Sequence, residues 1–513
     1  MGQGTENDRG ATRRQWLGLL AAGGITALGT ALIITGVQVS PTTGDDNESE
    51  GDNETTPAPS ALSVAWDGTY GTGPSAFTAA ASQRRLPEAP SAGGNASAGG
   101  NASATNASAT NASAQNGTQS DAPDVGGPVA VGGVRTTEQG MGQGWLLGVE
   151  GPESTTFEAG FAPGRAGDAF DAVESVIPAG DGWAVVGWTH DPASDGADAA
   201  DSKYPWIVRV GPDGDQRWQE TYPRPNVDSN RDVFHDGVRT PDGGFLLTGV
   251  TLGETFDDTR RGDGWLARVD AQGQLRWQQT YASGGANNAD WSDDERYDAF
   301  TTIRAIEGGY LLAGASTPQG TSDTNPADGW VVAVDSSGAR QWSSTYEFAS
   351  EDADATDLSI ADVRPAGDGY LAVGTAGSYE YIRSIRENQL AGDGWIARLD
   401  AEGGVRWKRT LTDAALRTAT PAGDAGRIVA GSRASQPWVG LLGADGELIE
   451  ELTLQTVDGV VSSAATRDDG AVVLAGRRDD GETPVAFITQ LAPPSNGSTG
   501  GDGSGGSGND GGN

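Results

Sequence analysis

Two histidines, His190 and His235, and no cysteine make up all the imidazole and thiol chemistry of this 513-residue chain. Thiolate nucleophiles, disulfides and lipid attachment through cysteine are therefore excluded, and metal sites built on imidazole or sulfur are not expected. Asp and Glu number 71, so carboxyl pairs for glycoside hydrolysis are plentiful, yet no spacing singles one out. The small clusters Asp257-Asp258, Asp293-Asp294 and Asp352-Ala-Asp354 lack the Asp-x-Asp-x-Asp-Gly spacing with a distal Glu that calcium loops use. Neither a Gly-x-Ser-x-Gly elbow nor a phosphate loop occurs. No catalytic, cofactor-binding or metal-ligating residue is assigned, and no cofactor is expected.

Modification and targeting leave clearer marks. Asn95, Asn101, Asn106, Asn111 and Asn116 each begin an Asn-x-Ser/Thr acceptor sequon inside one Asn/Ala/Ser tract. Asn47, Asn53 and Asn496 begin three more, all in low-complexity segments. Thr12-Arg13-Arg14-Gln15-Trp16-Leu17 precedes an apolar run reaching about Val39. The pattern resembles a twin-arginine export signal, with Arg13 and Arg14 as its paired guanidinium groups. The run is close to bilayer-spanning length, so membrane anchoring by an uncleaved segment is the alternative. Both readings put the rest of the chain outside the cell, at the extracellular surface.

The formal net charge is −38, from 71 acidic and 33 basic residues, and only Lys203 and Lys408 are lysines. Such a surface repels nucleic acid and anionic lipid, so nucleic-acid binding is not expected. The Asp-rich, Lys-poor balance is similar to that of proteins from salt-loving archaea, where dissolved salt screens the self-repulsion.

Residues 40–61 are acidic with Thr and Pro and carry no apolar periodicity, which reads as a disordered spacer. Residues 83–125 hold the sequon tract, and 493–513 form a Gly/Ser/Asn tail. Between them, over 62–492, one pattern recurs. Its clearest copy runs from Asp298-Ala-Phe300 through Gly308-Gly-Tyr-Leu-Leu-Ala-Gly314 and Asp328-Gly-Trp330 to Trp342-Ser-Ser-Thr-Tyr346. Each piece is a short apolar or alternating run bounded by Gly and Asp, the signature of a strand. Third-strand tryptophans stand at Trp145, Trp206, Trp265, Trp330, Trp395 and Trp438. Fourth-strand tryptophans stand at Trp218, Trp277, Trp342 and Trp407, each 12 residues after its partner, and Phe157 holds that offset from Trp145. Fixed spacing inside an elastic period marks a structural repeat, so these side chains are expected to pack between sheets.

Seven copies of the second strand occur, but the last copy lacks a fourth strand. An orphan, Trp66-Asp-Gly-Thr-Tyr70, matches Trp342–Tyr346 and is expected to complete it. The fold expected is therefore all-β, a seven-bladed β-propeller of four-stranded antiparallel sheets. The sequon tract is inserted in its first blade.

The run Asp270-Ala-Gln-Gly273-Gln-Leu-Arg-Trp277 resembles the tryptophan-docking motif of quinoprotein-like (PQQ-repeat) propellers, one residue shorter. It resembles still more a repeat of secreted bacterial and archaeal surface proteins. Quinoprotein dehydrogenases carry adjacent cysteines beside the cofactor, and this chain has none. The expectation is a monomeric surface propeller acting as a binding or envelope scaffold, meeting a protein or glycan at its long acidic loops. The alternative is an extracellular propeller enzyme, a hydrolase or a quinoprotein-like oxidoreductase. Acids grouped at the central channel would favour the enzyme, and a channel of backbone and small residues the scaffold.

Overall fold

The computed structural model describes residues 62–70, 74–82, 129–137, 142–151, 154–161, 171–190, 203–222, 232–252, 262–283, 298–317, 327–348, 357–377, 392–423, 426–479 and 483–493. These residues form seven four-stranded antiparallel sheets and contain no α-helix. Blade 1 lies in 75–161, blade 2 in 171–221, blade 3 in 233–281, blade 4 in 298–346, blade 5 in 357–411 and blade 6 in 414–453. Blade 7 takes three strands from 459–491 and its outer strand, Val64–Tyr70, from near the other end of the chain. That strand pairs Val64 with Leu491 and Tyr70 with Ala486. The pairing closes the ring and covers an edge that would otherwise be open. Ser63 accepts a backbone bond from Ala492 at 2.9 Å just outside the strand pair.

Each second strand carries a glycine two or three residues before its end, for a packing reason. Gly314 pairs with Trp330 across the sheet, Gly249 with Trp265, Gly374 with Trp395 and Gly476 with Phe487. A methyl group on Gly314 would overlap the carbonyl oxygen of Ala299 on the inner strand. The inner strand comes this close because it bulges: Phe300 pairs Gly314, Thr302 pairs Ala313, and Thr301 is the extra residue. The other six inner strands bulge at the same level. The third-strand aromatic fills the space beside the glycine. Trp330 is fully buried and stacks on Phe300 with ring centroids 4.5 Å apart, and Trp265 stacks likewise on Phe234 at 4.4 Å.

The fourth-strand aromatics join neighbouring blades. Trp277 of blade 3 lies against Gly338 in the hairpin turn of blade 4, where φ is +87°. Trp218 meets Gly273 in the same way, Trp342 meets Gly403, Trp407 meets Gly446, and Phe157 meets Gly214. The positive φ and the crowded ring both require glycine there. In blades 3, 4 and 5 an aspartate, Asp270, Asp335 or Asp400, opens the turn and caps it: Asp335 Oδ1 accepts the N–H of Ser337 at 2.8 Å and of Ala339 at 3.0 Å. In blades 2, 3 and 4 a tyrosine at the end of the outer strand reaches the turn of the next blade. Tyr281 Oη donates to Gly338 O at 2.6 Å and Tyr346 Oη to Gly403 O at 2.7 Å. Burial pushes the Tyr346 hydroxyl up to about 12, so it acts as a neutral donor.

The ring has two unlike faces. First-to-second and third-to-fourth connections are short turns, such as Ile306 to Gly309 and Asp335 to Arg340, except in blade 1, where Ser82 and Val129 bracket the sequon tract. On the opposite face, the second-to-third connections run from His190 to Lys203, Leu252 to Gly262, Ser316 to Asp328 and Gly377 to Asp393. Blades 1, 6 and 7 depart from the expected long loops: Thr136 reaches Gly142 and Asp479 reaches Pro484 through a few residues, and the connections of blade 6 are the shortest. There Leu411 reaches Ala414, and Arg433 reaches Gln436, through two residues each. Asp413, Ala434 and Ser435 adopt positive φ to make those turns.

Candidate functional site: the central channel

The seven inner strands enclose a channel of about 2140 Å³. A β-bulge turns an extra side chain out of the ladder, and here each bulge aims one into the channel. The seven bulge residues are Thr78, Glu174, His235, Thr301, Ala361, Arg417 and Ser462, and all line it. The glycines near the ends of the second strands thus fix which residues face the channel.

Just beyond the bulges, a belt of polar side chains ties each blade to the next. Thr78 Oγ1 donates to Val173 O at 2.6 Å, linking blades 1 and 2. Ser175 Oγ donates to Asp236 Oδ1 at 2.6 Å, linking blades 2 and 3. Asp236 Oδ2 accepts Thr302 Oγ1, the Ile303 N–H and Arg304 Nη1 at 3.0, 3.1 and 2.6 Å, all from blade 4. Arg304 Nη2 then donates to Asp362 Oδ1 of blade 5 at 2.7 Å. Asp362 Oδ2 accepts Arg364 Nε at 2.9 Å, the Ala419 N–H of blade 6 at 3.1 Å and Thr418 Oγ1 at 3.3 Å. Thr420 and Thr466 share a 2.6 Å bond between blades 6 and 7, and Ser82 Oγ returns to Thr466 O at 2.6 Å.

Electrostatics follow from this pairing. Burial alone would raise the Asp236 carboxyl, but Arg304, the Ser175 hydroxyl and the Ile303 and Gly237 amides outweigh it and hold it below the usual range. Burial works against the Arg304 charge as well, and Asp362 and Asp236 together raise it. A carboxyl held in this way is ionised at neutral pH and makes a poor proton donor. Glu174 accepts the Trp188 indole N–H at 3.0 Å, and its other oxygen lies 3.8 Å from His235 Nδ1. The carboxylates Glu174, Asp236 and Asp362 are thus all engaged with neighbours. The belt closes the ring, and charged groups, arginines among them, line the channel.

The residues singled out from sequence fall elsewhere. Trp145, Trp206, Trp265, Trp330, Trp395 and Trp438 are buried within the sheets, and Trp66, Trp218, Trp277, Trp342 and Trp407 are half-buried on outer strands. None lines the channel. Arg13, Arg14 and the eight sequon asparagines lie outside the described residues, as do the acidic clusters at 257–258, 293–294 and 352–354. Of the two histidines, His235 stands at the channel, although it had been given no role. Among the described residues the channel is lined neither by a group of loop acids nor by small residues alone. Its charged groups sit on the inner strands, apart from Asp468 in the first turn of blade 7 and Arg477 on the second strand of that blade.

No family model matches the chain, and no curated protein is similar to it. Solved structures resemble it distantly. An unknown-function protein from Dyadobacter fermentans is 12% identical, with 63% of this chain and 95% of that chain covered and a TM-score of 0.43. Trypanosoma rangeli sialidase in complex with the inhibitor DANA is 8% identical, with 72% and 53% covered and a TM-score of 0.37. An α-L-arabinofuranosidase from Lactobacillus brevis is 9% identical, with 50% and 89% covered and a TM-score of 0.28. The chain spans about half the length of the sialidase. Likeness at this level carries nothing about chemistry. What the chain's own coordinates define is a seven-bladed β-propeller of four-stranded antiparallel sheets.

Proposed function

We propose that this protein is an exported propeller held at the outer cell surface, where it acts as a binding or envelope scaffold for a protein or glycan. One topological observation carries the reading. Leu62, where the spacer meets the ring, lies at the face of tight turns, and so does Ala492, where the tail leaves it. Ser82 and Val129, which bracket the sequon tract, stand at that face too. The N-terminal tether, the sequon tract and the tail therefore all join one side. The long acidic connections join the other, which is left facing outward, and elaborated loops on a rigid scaffold are where binding concentrates. The packing of Trp277 on Gly338 supports kinship with tryptophan-docking propellers. The −38 charge supports an origin in a salt-loving organism.

Replacement of Arg13 and Arg14 together by Lys tests export. The reading expects the protein to accumulate inside the cell, because the twin-arginine route depends on the guanidinium pair. Undiminished secretion of that variant would contradict it.

A further inference from the structure

We propose that the channel binds an oxyanion-bearing solute, a carboxylate, sulfate or phosphate, at Arg364 and Arg417. The charge of the lining is unlike that of the ring as a whole. Among the described residues acidic side chains outnumber basic ones by 34 to 20, yet five arginines line the channel against four carboxylates. A share in that proportion would make the lining net negative. Arginine is also the side chain suited to a planar or tetrahedral oxyanion, through its forked donors.

Arg304 and Arg364 also differ in what they already touch. Arg304 is spent between Asp236 and Asp362. Arg364 donates only Nε, to Asp362, which it shares with Arg304. Its two terminal nitrogens make no hydrogen bond among the described residues, and the side chain is 28% exposed. Arg417, at the bulge of blade 6, belongs to the same sector, because its neighbour Thr418 bonds that same Asp362. Burial and the adjacent Arg304 both lower the Arg364 charge affinity, a crowding that a bound anion would relieve.

The connections of blade 6 on the loop face are the two-residue turns Thr412-Asp413 and Ala434-Ser435, so the wall around the channel mouth is low beside Arg417. The inference deepens the binding-propeller reading by naming a ligand class and rests on it. Failure of this site would leave surface location standing, since that is read on whole cells.

The test is calorimetric titration of the purified full chain in molar KCl with sodium glucuronate, sodium sulfate and, as a neutral control, glucose. Saturable binding of one of the two anions but not of glucose is expected. Preference for glucuronate identifies an acidic sugar as the natural class, and preference for sulfate a free inorganic anion. Arg417→Gln and Arg364→Gln should each weaken binding at least tenfold, while Arg406→Gln on the outer surface should leave it unchanged. If Arg364→Gln fails to fold, Arg417→Gln decides alone. No saturable anion binding, equal binding of glucose, or full binding by Arg417→Gln would overturn the proposal.

Discussion

Arg304 of blade 4 and Asp362 of blade 5 meet through a 2.7 Å bond, Nη2 to Oδ1, in which the carboxylate is almost wholly buried. The same guanidinium holds Asp236 of blade 3, so one side chain fastens three consecutive blades. Removing one member of such a group leaves its partners as unpaired charges in a poorly solvated place. Arg304→Met should therefore cost about 3–5 kcal/mol of folding stability. Adding Asp236→Asn and Asp362→Asn to that variant should recover part of the loss. Chemical denaturation in molar KCl measures both, and a loss under about 1 kcal/mol for the single variant would contradict the staple.

Gly308 and Gly338 separate backbone strain from aromatic docking. Their φ values are nearly the same, +81° and +87°, but a methyl on Gly308 would meet nothing whereas one on Gly338 would lie 2.8 Å from the Trp277 ring. Gly308→Ala should cost about 1–2 kcal/mol, from the left-handed conformation alone. Gly338→Ala should cost at least about 1 kcal/mol more, the usual penalty for overpacking. Equal losses in denaturant titrations would show that the Trp277 contact adds nothing.

Asp328 gives a pH signature. Burial, and then the charge of Glu347, raise its carboxyl to about 6. The folded state thus holds this proton more tightly than the unfolded chain, whose aspartates titrate near about 4. Stability from this group is present below that value and is lost as pH rises through about 6. Asp328→Asn, which keeps the neutral shape, should raise the thermal midpoint at pH 7.5 and leave it unchanged at pH 4. An equal shift at both values would assign the effect to packing instead.

Salt should matter to the whole ring. With a net charge of −38 and two lysines, diluting salt from 1 M to 0.1 M extends the Debye length from about 3 Å to about 10 Å. Repulsion then reaches between blades, and apolar burial weakens as excluded salt is withdrawn. The thermal midpoint should fall on dilution, alike in KCl and NaCl. A flat or rising midpoint would remove the electrostatic basis for salt adaptation.

Blade number, strand order and closure by Trp66–Tyr70 were legible in the sequence because they rest on local signals repeated seven times. Gly and Asp bound the strands, and aromatic residues recur at fixed offsets. The channel was not legible in that way. Its chemistry depends on a bulge, and a bulge is a mismatch between two strands rather than a pattern in one. A signal was nonetheless present. The glycine near the end of each second strand, reflected across its hairpin turn, falls on the bulge residue: Gly314 reflects to Thr301, Gly187 to Glu174 and Gly249 to His235. The Asp236–Arg304–Asp362 chain left no such trace, because its members come from three blades 58 and 68 residues apart.

Surface placement with the loop face outward can be measured on whole cells, since the chain contains no cysteine to compete for label. Glu402 and Thr412 are exposed at opposite ends of the outer strand of blade 5, Glu402 on the turn face and Thr412 on the loop face. Thr412→Cys and Glu402→Cys would be treated on intact cells with a bulky, membrane-impermeant maleimide, with the purified proteins as rate references. The account predicts that both variants label without lysis, and that Thr412→Cys reacts faster relative to its purified reference. Labelling that requires lysis, or faster reaction at Glu402→Cys, would contradict it.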